Sequence, residues 1–306
     1  MKFLIFADFH YAPGILSGES QEKLDVILDR AKQEQVDFII HAGDLCHDVN
    51  RYRDFVERYN RCPIPTYHCL GNHDCDDQPL SDVLAAYRMQ HSYYFFDRDG
   101  YRVIVCDPNY FLDADGAYVH YENNNYFSHG ETRDFMPPEQ MRWLAKTIDA
   151  SDHPCILISH ESFEREADGC RSGSAVRDII RRANRKRPHS VILCISGHHH
   201  TDNLRILDNV CYLDLNSSSY CYMSDTQTHN TYPPAVYEQI ECARNMLLYN
   251  EPLSAVITVE GTDIDISGTE GTLLMGVNRE MAGYPKCDAC GRPATASILS
   301  AHLTLR

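Results

Sequence analysis

The stretch Cys69-Leu70-Gly71-Asn72-His73-Asp74 closes a short apolar run, Ile64 to Leu70, and then sets an amide, an imidazole and a carboxylate side by side. The run is predicted to be a buried strand, and Gly71 lets the backbone turn sharply at its end. Ligands of α/β proteins bind at the carboxyl ends of such strands. Four more clusters of the same chemical kind also end apolar runs: Asp8-Phe9-His10, Gly43-Asp44, His160 and Gly197-His198-His199-His200.

Working outward, residues 2–7, 36–42 and 64–70 read as strands. Between them, residues 20–33 (with Leu24, Ile27, Leu28 and Ala31 at helical spacing), 51–60 and 79–90 read as helices. Strands alternating with helices predict βαβ units and a largely parallel sheet. A hairpin of 93–96 with 101–107 around Asp99-Gly100 mixes in antiparallel strands. A polar loop over 108–136 is expected near the site. It is followed by a Pro-started helix at 138–148, a strand at 155–159, a basic helix at 174–186 and a strand at 190–195. Short strands are predicted at 203–207, 210–215 and 235–240, and a strand pair at 255–260 and 263–267. The reading is one α/β catalytic domain over 1–280, with the strand pair at about 253–268 as an extension. The pattern assigns the Pro- and Gly-containing tail, 281–306, to no element.

Length and composition are those of a globular chain: 306 residues, 43% hydrophobic and 24% charged. No apolar stretch approaches a membrane span, and the apolar start Met1–Phe6 is too short for a secretory signal, so a cytoplasmic protein without a membrane partner is expected. Of the 13 cysteines, Cys69, Cys106, Cys155 and Cys194 lie within apolar runs and read as reduced and buried. A formal net charge of -16 argues against a nucleic-acid groove, which needs clustered cations. Bound divalent cations would offset part of that acidity.

The strand ends together offer Asp8, His10, Asp44, Asn72, His73, His160, His198 and His200. Imidazoles with carboxylates suit Zn, Mn or Fe rather than Ca. The i, i+2 spacing of Asp8/His10 and of His198/His200 puts each pair on one side of an extended segment. Eight groups exceed the needs of one ion, so two metal ions are expected. Two cations about 3.5–4 Å apart can bind phosphate oxygens and activate a bridging water as hydroxide. Asp44 has two oxygens with which to bridge them, and His73 can stay outside the metal shell and protonate a leaving alkoxide.

In order and spacing, Asp8-x-His10, Gly43-Asp44, Gly71-Asn72-His73-Asp74, His160 and Gly197-His198-x-His200 resemble the five motifs of the calcineurin-like metallophosphoesterases, over about residues 1–220. The resemblance implies a four-layer α/β/β/α sandwich of two mixed sheets. It implies one metal held by Asp8, His10, Asp44 and His200, another by Asp44, Asn72, His160 and His198, and His73 as proton donor. The motif style looks most like the cyclic-nucleotide phosphodiesterase and small bacterial phosphoesterase branches. Protein-phosphatase members carry an acidic residue three positions after the Gly-Asp carboxylate, whereas this chain has His47 there, followed by Asp48. The carboxylate that orients His73 is therefore expected to be Asp48 or Asp74.

The functional expectation is a metal-dependent hydrolase of small phosphate mono- or diesters, with nucleotides among the candidates and Asn72, His73 and His199 on the substrate. A non-catalytic metal- or nucleotide-binding module and a nuclease of the same family are the alternatives. Cys287 and Cys290 read as a free pair, since no second C-x-x-C completes a zinc site. The basic run from Arg177 to Arg187 reads as a solvated helix face, and the rings of Tyr110, Phe111, Tyr118, Tyr121, Tyr126 and Phe127 as loop packing or a base-stacking pocket.

Overall fold

β1 (Lys2–Phe6) turns Phe3 and Ile5 to one side and Leu4 and Phe6 to the other, and all four are fully buried. A strand apolar on both faces belongs between two other layers. A computed structural model, describing residues 1–16, 20–165, 169–224, 226–288 and 291–306, places it so.

α1 (Gln21–Gln33), β2 (Phe38–Ala42), α2 (Arg53–Asn60), β3 (Thr66–Cys69) and α3 (Leu80–Ala86) follow the expected alternation. The hairpin β4 (Tyr94–Arg98) and β5 (Tyr101–Val105) comes next, then a small hairpin, β6 (Tyr110–Leu112) and β7 (Tyr118–His120), within the stretch read as loop. The rest of the second half is α4 (Pro138–Asp149), β8 (Cys155–Ile158), α5 (Gly173–Lys186), β9 (Val191–Ser196), β10 (Asn203–Leu207), β11 (Val210–Asp214) and β12 (Tyr220–Tyr222). α6 (Pro234–Gln239), β13 (Met246–Leu248), β14 (Ala255–Glu260), β15 (Asp263–Gly268) and β16 (Ala301–Thr304) complete it.

Two six-stranded mixed sheets result, ordered β16-β15-β14-β1-β2-β3 and β10-β11-β9-β8-β5-β4. Phe3, Ile5, Phe38 and Ile40 of the first sheet meet Val103, Val105, Ile156 and Ile158 of the second in a central core. Leu4, Phe6 and Ile39, on the opposite face, pack with Leu24, Ile27, Phe55, Val56 and Tyr59 of α1 and α2. Ile104 and Leu157 pack with Leu144 and Ile148 of α4 and with Val176 and Ile180 of α5. Three cores make four layers, α/β/β/α. Fully burying one such side chain is worth about 1.5–3 kcal/mol, so the period-two pattern of the strands is enforced from both faces. In register, Phe3 pairs with Phe38 and their rings stack at 4.9 Å.

Two differences from the sequence reading stand out. Residues 235–240, read as a strand, lie mostly in the short helix α6: Pro233 and Pro234 start it with the missing N–H at its first turn, where none is needed. The tail supplies an edge strand, β16, which pairs antiparallel with β15, and it buries Ile298 and Leu305 in the central core. The charged face of α5 is solvated as read, with Arg181 on Asp178 and Asp208 and Lys186 on Asp149. Cys290 lies outside the described residues. No described helix is long and apolar enough to cross a membrane.

Candidate metal centre

β1 runs parallel to β2 and β2 to β3 in the first sheet, and β8 runs parallel to β9 in the second, so within each sheet the carboxyl ends of these strands share one edge. The segments leaving those ends are tied together by backbone. Asp8 donates its N–H to Gly43 O at 3.0 Å, and His10 donates to Asp44 O at 2.8 Å. Asp8, His10, Asp44, His198 and His200 all have left-handed backbones, with φ between 51° and 71°. Each such non-glycine residue costs on the order of 1–3 kcal/mol, and conformations of this kind collect where function requires them. Gly43, at φ +96°, abuts the His160 ring, and Gly71 abuts the Asp44 carboxylate, so a side chain fits at neither position.

Among the described residues three groups of potential metal donors result: Asp8 with His10 and His200, Asp44 with His160 and His198, and His47 with His73 and Asp76; the first two lie at the strand ends that carry the motifs. Their imidazoles are aimed by partners on the far ring nitrogen. His160 Nδ1 donates to Ala42 O at 2.8 Å and His200 Nδ1 to Tyr220 O at 2.9 Å, so both turn Nε2 inward. His10 Nε2 lies 3.0 Å from His200 Nε2. Asp44 Oδ2 is 3.1 Å from His160 Nε2 and 3.6 Å from His10 Nε2, which puts one oxygen between the two groups. Asp8 Oδ1 is similarly shared, 3.4 Å from His200 Nε2 and 3.8 Å from His160 Nε2. Burial drives the pKa of His10 and of His198 well below the ordinary imidazole value. His160 is held well above it, because Asp44 and Asp8 outweigh the effect of burial. Asn72 donates from Nδ2 to Tyr126 Oη at 3.3 Å, while its buried Oδ1 has no hydrogen-bond partner.

His73 sits beside this ring of ligands, its imidazole 5.2 Å from that of His10. Its orienting carboxylate is Asp76, not Asp48 or Asp74: His73 Nδ1 donates to Asp76 Oδ2 at 2.6 Å. Asp48 is engaged in its own turn, accepting from the Asn50 and Arg51 amides. Asp74, fully buried, accepts four backbone N–H groups, from Gly71, Asp44, Leu45 and Cys46, together with the Tyr87 hydroxyl. It ties the turn after β2 to the turn after β3, and both its oxygens are taken by these donors.

Asp76 gathers further partners. Tyr126, from the loop after β7, donates its hydroxyl to Oδ1 at 2.6 Å. His47 Nδ1 lies 3.4 Å from Oδ2, and the His47 ring stacks on His73 at 4.8 Å. With His10 Nε2 turned to the centre, His10 Nδ1–H donates to His47 Nε2 at 2.9 Å. The sequence reading missed Asp76, and it took Tyr126 only as a ring for loop packing or base stacking. The signal for Asp76 was its i, i+3 relation to His73 across a single helical turn, here the 3-10 turn Asn72–Cys75. Burial tends to depress His73, but Asp44 and Asp76 push it up to about 9, so it is protonated at neutral pH.

His199 lies next to the ring of ligands, 5.2 Å from the His198 ring, with its Nε2 buried and unpartnered. Burial, then the charges of His198, Arg165, His160 and Arg292, lower its pKa well below the ordinary value.

A family model described as calcineurin-like phosphoesterase matches residues 1–202. Among solved structures, a dimetal phosphatase from Danio rerio aligns with a TM-score of 0.60 at 16% identity, over 89% of this chain and 98% of that one. GAP50, the anchor in the inner membrane complex of Plasmodium, aligns with a TM-score of 0.51 at 12% identity, over 100% of this chain and 89% of that one. At these identities the likeness is one of fold. No curated protein matches the chain.

Proposed function

The chain belongs to the calcineurin-like phosphoesterase family, and on that premise we propose that it hydrolyses small phosphate esters at a dinuclear metal centre. The observation that carries this is the Asp44 carboxylate, with one oxygen between two three-residue donor groups. The fit of metal ions rests on the donor chemistry: inward Nε2 atoms fixed by their far-side partners, and a buried Asn72 Oδ1 with no protein partner. Asp8, His10, Asp44 and His200 would hold one ion, and Asp44, Asn72, His160 and His198 the other. Imidazole with carboxylate suits Mn, Fe or Zn. Bound there, the ions would supply positive charge for the phosphate oxygens and lower the pKa of an attacking water.

The protein's own groups do the rest. Asp44 accepts the His73 backbone N–H at 2.8 Å through its other oxygen, so the acid and the bridging carboxylate keep a fixed relation. His73 carries a proton on each ring nitrogen; Nδ1–H is held by Asp76, which leaves Nε2–H to protonate the departing oxygen. Tyr126, itself buried, hydrogen-bonds both Asn72 and Asp76 and so links the ligand to the residue that orients the acid. The free cysteines, most of them buried, support a reducing, cytoplasmic setting.

The test is a panel of phosphate mono- and diesters (aryl phosphates, nucleotides, cyclic nucleotides, sugar phosphates) given to metal-stripped protein reloaded with Mn, Fe or Zn. Metal-dependent release of product from at least one ester is expected. Protein that binds two ions yet turns over nothing in the panel would sink the hydrolase reading and leave a binding module.

A further inference from the structure

Three aromatic rings from the loop after β7 form a column beside the corner that holds His73. Tyr126 carries Tyr121 on one face, with ring centroids 4.2 Å apart and planes 14° from parallel, and Phe127 on the other, at 4.6 Å and 21°. Tyr121 and Tyr126 are buried. The Tyr126 hydroxyl donates to Asp76 Oδ1 at 2.6 Å and accepts from Asn72 Nδ2 at 3.3 Å. Phe127 ends the column: among the described residues no other ring stacks on it, and 55% of it is open to solvent. One tyrosine side chain therefore stands between an exposed aromatic ring and two groups of the centre, the metal donor Asn72 and the carboxylate that holds His73.

A lone exposed phenylalanine is common on protein surfaces and by itself needs no explanation. Place and rigidity set Phe127 apart. The loop before it is pinned to the segment that follows the Asn72–Cys75 turn: Asn123 N–H donates to Gln78 O at 3.2 Å, Asn124 Nδ2 to Asp77 Oδ1 at 3.4 Å, and Leu80 N–H to Glu122 Oε2 at 3.2 Å. These bonds hold the loop without the Phe127 side chain, which buries less than half of itself. The place follows from the proton donor. His73 protonates the departing oxygen, so the departing group lies on the His73 side of the centre. Asp76 binds His73 directly, Tyr126 binds Asp76, and Phe127 stacks on Tyr126.

We propose that Phe127 is the stacking platform for the base of a nucleotide substrate, whose nucleoside is the departing group. A planar base offers the ring a π-face that a sugar or an alkyl chain lacks. Tyr126 and Tyr121 back the ring, so binding has little side-chain freedom to remove. Phe127 selects the substrate and takes no part in the chemical step. The proposal rests on the phosphoesterase reading and narrows it from phosphate esters in general to nucleotides.

The experiment takes whichever ester the metal-loaded protein turns over best and measures its competitive inhibition by adenosine 5′-phosphate and by ribose 5-phosphate. The two compounds share phosphate and sugar and differ in the base alone. In a monoesterase they act as competing substrates and in a diesterase as product-like inhibitors, so the comparison serves both. Adenosine 5′-phosphate should bind about tenfold tighter. In Phe127→Ala that ratio should fall to about twofold or less, with the loss on the adenosine compound. Phe127→Leu, which keeps apolar bulk without a planar face, should behave as the alanine variant does, and Phe127→Trp should keep the ratio or raise it. Equal constants in the wild type would overturn the proposal. So would an unchanged ratio in Phe127→Ala, an equal loss for both compounds, or a leucine as good as the native ring. Failure to turn over any ester would instead bring down the phosphoesterase reading itself, and the platform with it.

Discussion

The ring of metal donors and the corner that holds His73 are built differently. In the ring, most groups are buried and most are aimed by the backbone: His160 and His200 on the carbonyls of Ala42 and Tyr220, and left-handed turns at five donor positions, with His10 leaning on a side chain outside the ring, His47. In the corner, His73 is partly exposed, with 31% of its side chain open to solvent, and it is aimed by side chains alone: Asp76, with Tyr126 and His47 around it. A backbone-built ring has no second way to arrange itself. A corner built from side chains can lose a member and still keep its shape. Damage to the ring should therefore remove metal, whereas damage to the corner should slow proton transfer and leave metal in place.

The largest effect follows from striking the ring at its shared member. Asp44→Asn should lose most bound metal by elemental analysis and reduce kcat at least about 10³-fold; two ions still bound would refute the bridging assignment. His73→Ala should keep both ions and lose about 10²–10⁴-fold in kcat on alkyl esters, the range for a lost general acid. Full activity in that variant would remove His73 from the mechanism. Asp76→Asn should cost less, about tenfold. It also has a sign in pH. Asp76 is one of the groups that raise His73 to about 9, and without it His73 loses its proton at a lower pH. The alkaline fall of kcat should then move toward neutrality, and a profile that stays put would show that Asp76 does not tune the acid. Tyr126→Phe should be mildest, about two- to fivefold in kcat with KM little changed. If Tyr126→Phe released metal instead, the contrast between ring and corner would collapse.

The same contrast explains what could be read in advance. Ring residues sit at the ends of apolar runs, four of the six in pairs two apart, and both signals are visible in a single sequence. The four layers were legible for a related reason, since strands such as Lys2–Phe6 are apolar on both faces. The corner was not legible. Asp76 faces His73 only because the chain coils into one 3-10 turn, and the turn hides a partner three residues on, behind the more conspicuous Asp74. Tyr126 arrives from 50 residues away through a loop with no periodicity. Asp48 and Asp74 looked free because a sequence does not show backbone N–H groups, and those N–H groups are what they bind. In α6, the apolar residues that resembled a strand were overruled by the paired prolines ahead of them.

The Asp74 clasp has a consequence for how the molecule opens. Its carboxylate is shared by amides of two turns, Gly71 on one side and Asp44, Leu45 and Cys46 on the other, with the Tyr87 hydroxyl from the residue after α3. Neither turn can lift away alone without leaving a buried carboxylate short of donors. Those four amides should therefore exchange with deuterium at one common rate, as a single cooperative unit. The metal-binding half that contains Asn72 and the half that contains Asp44 would then form, and come apart, together.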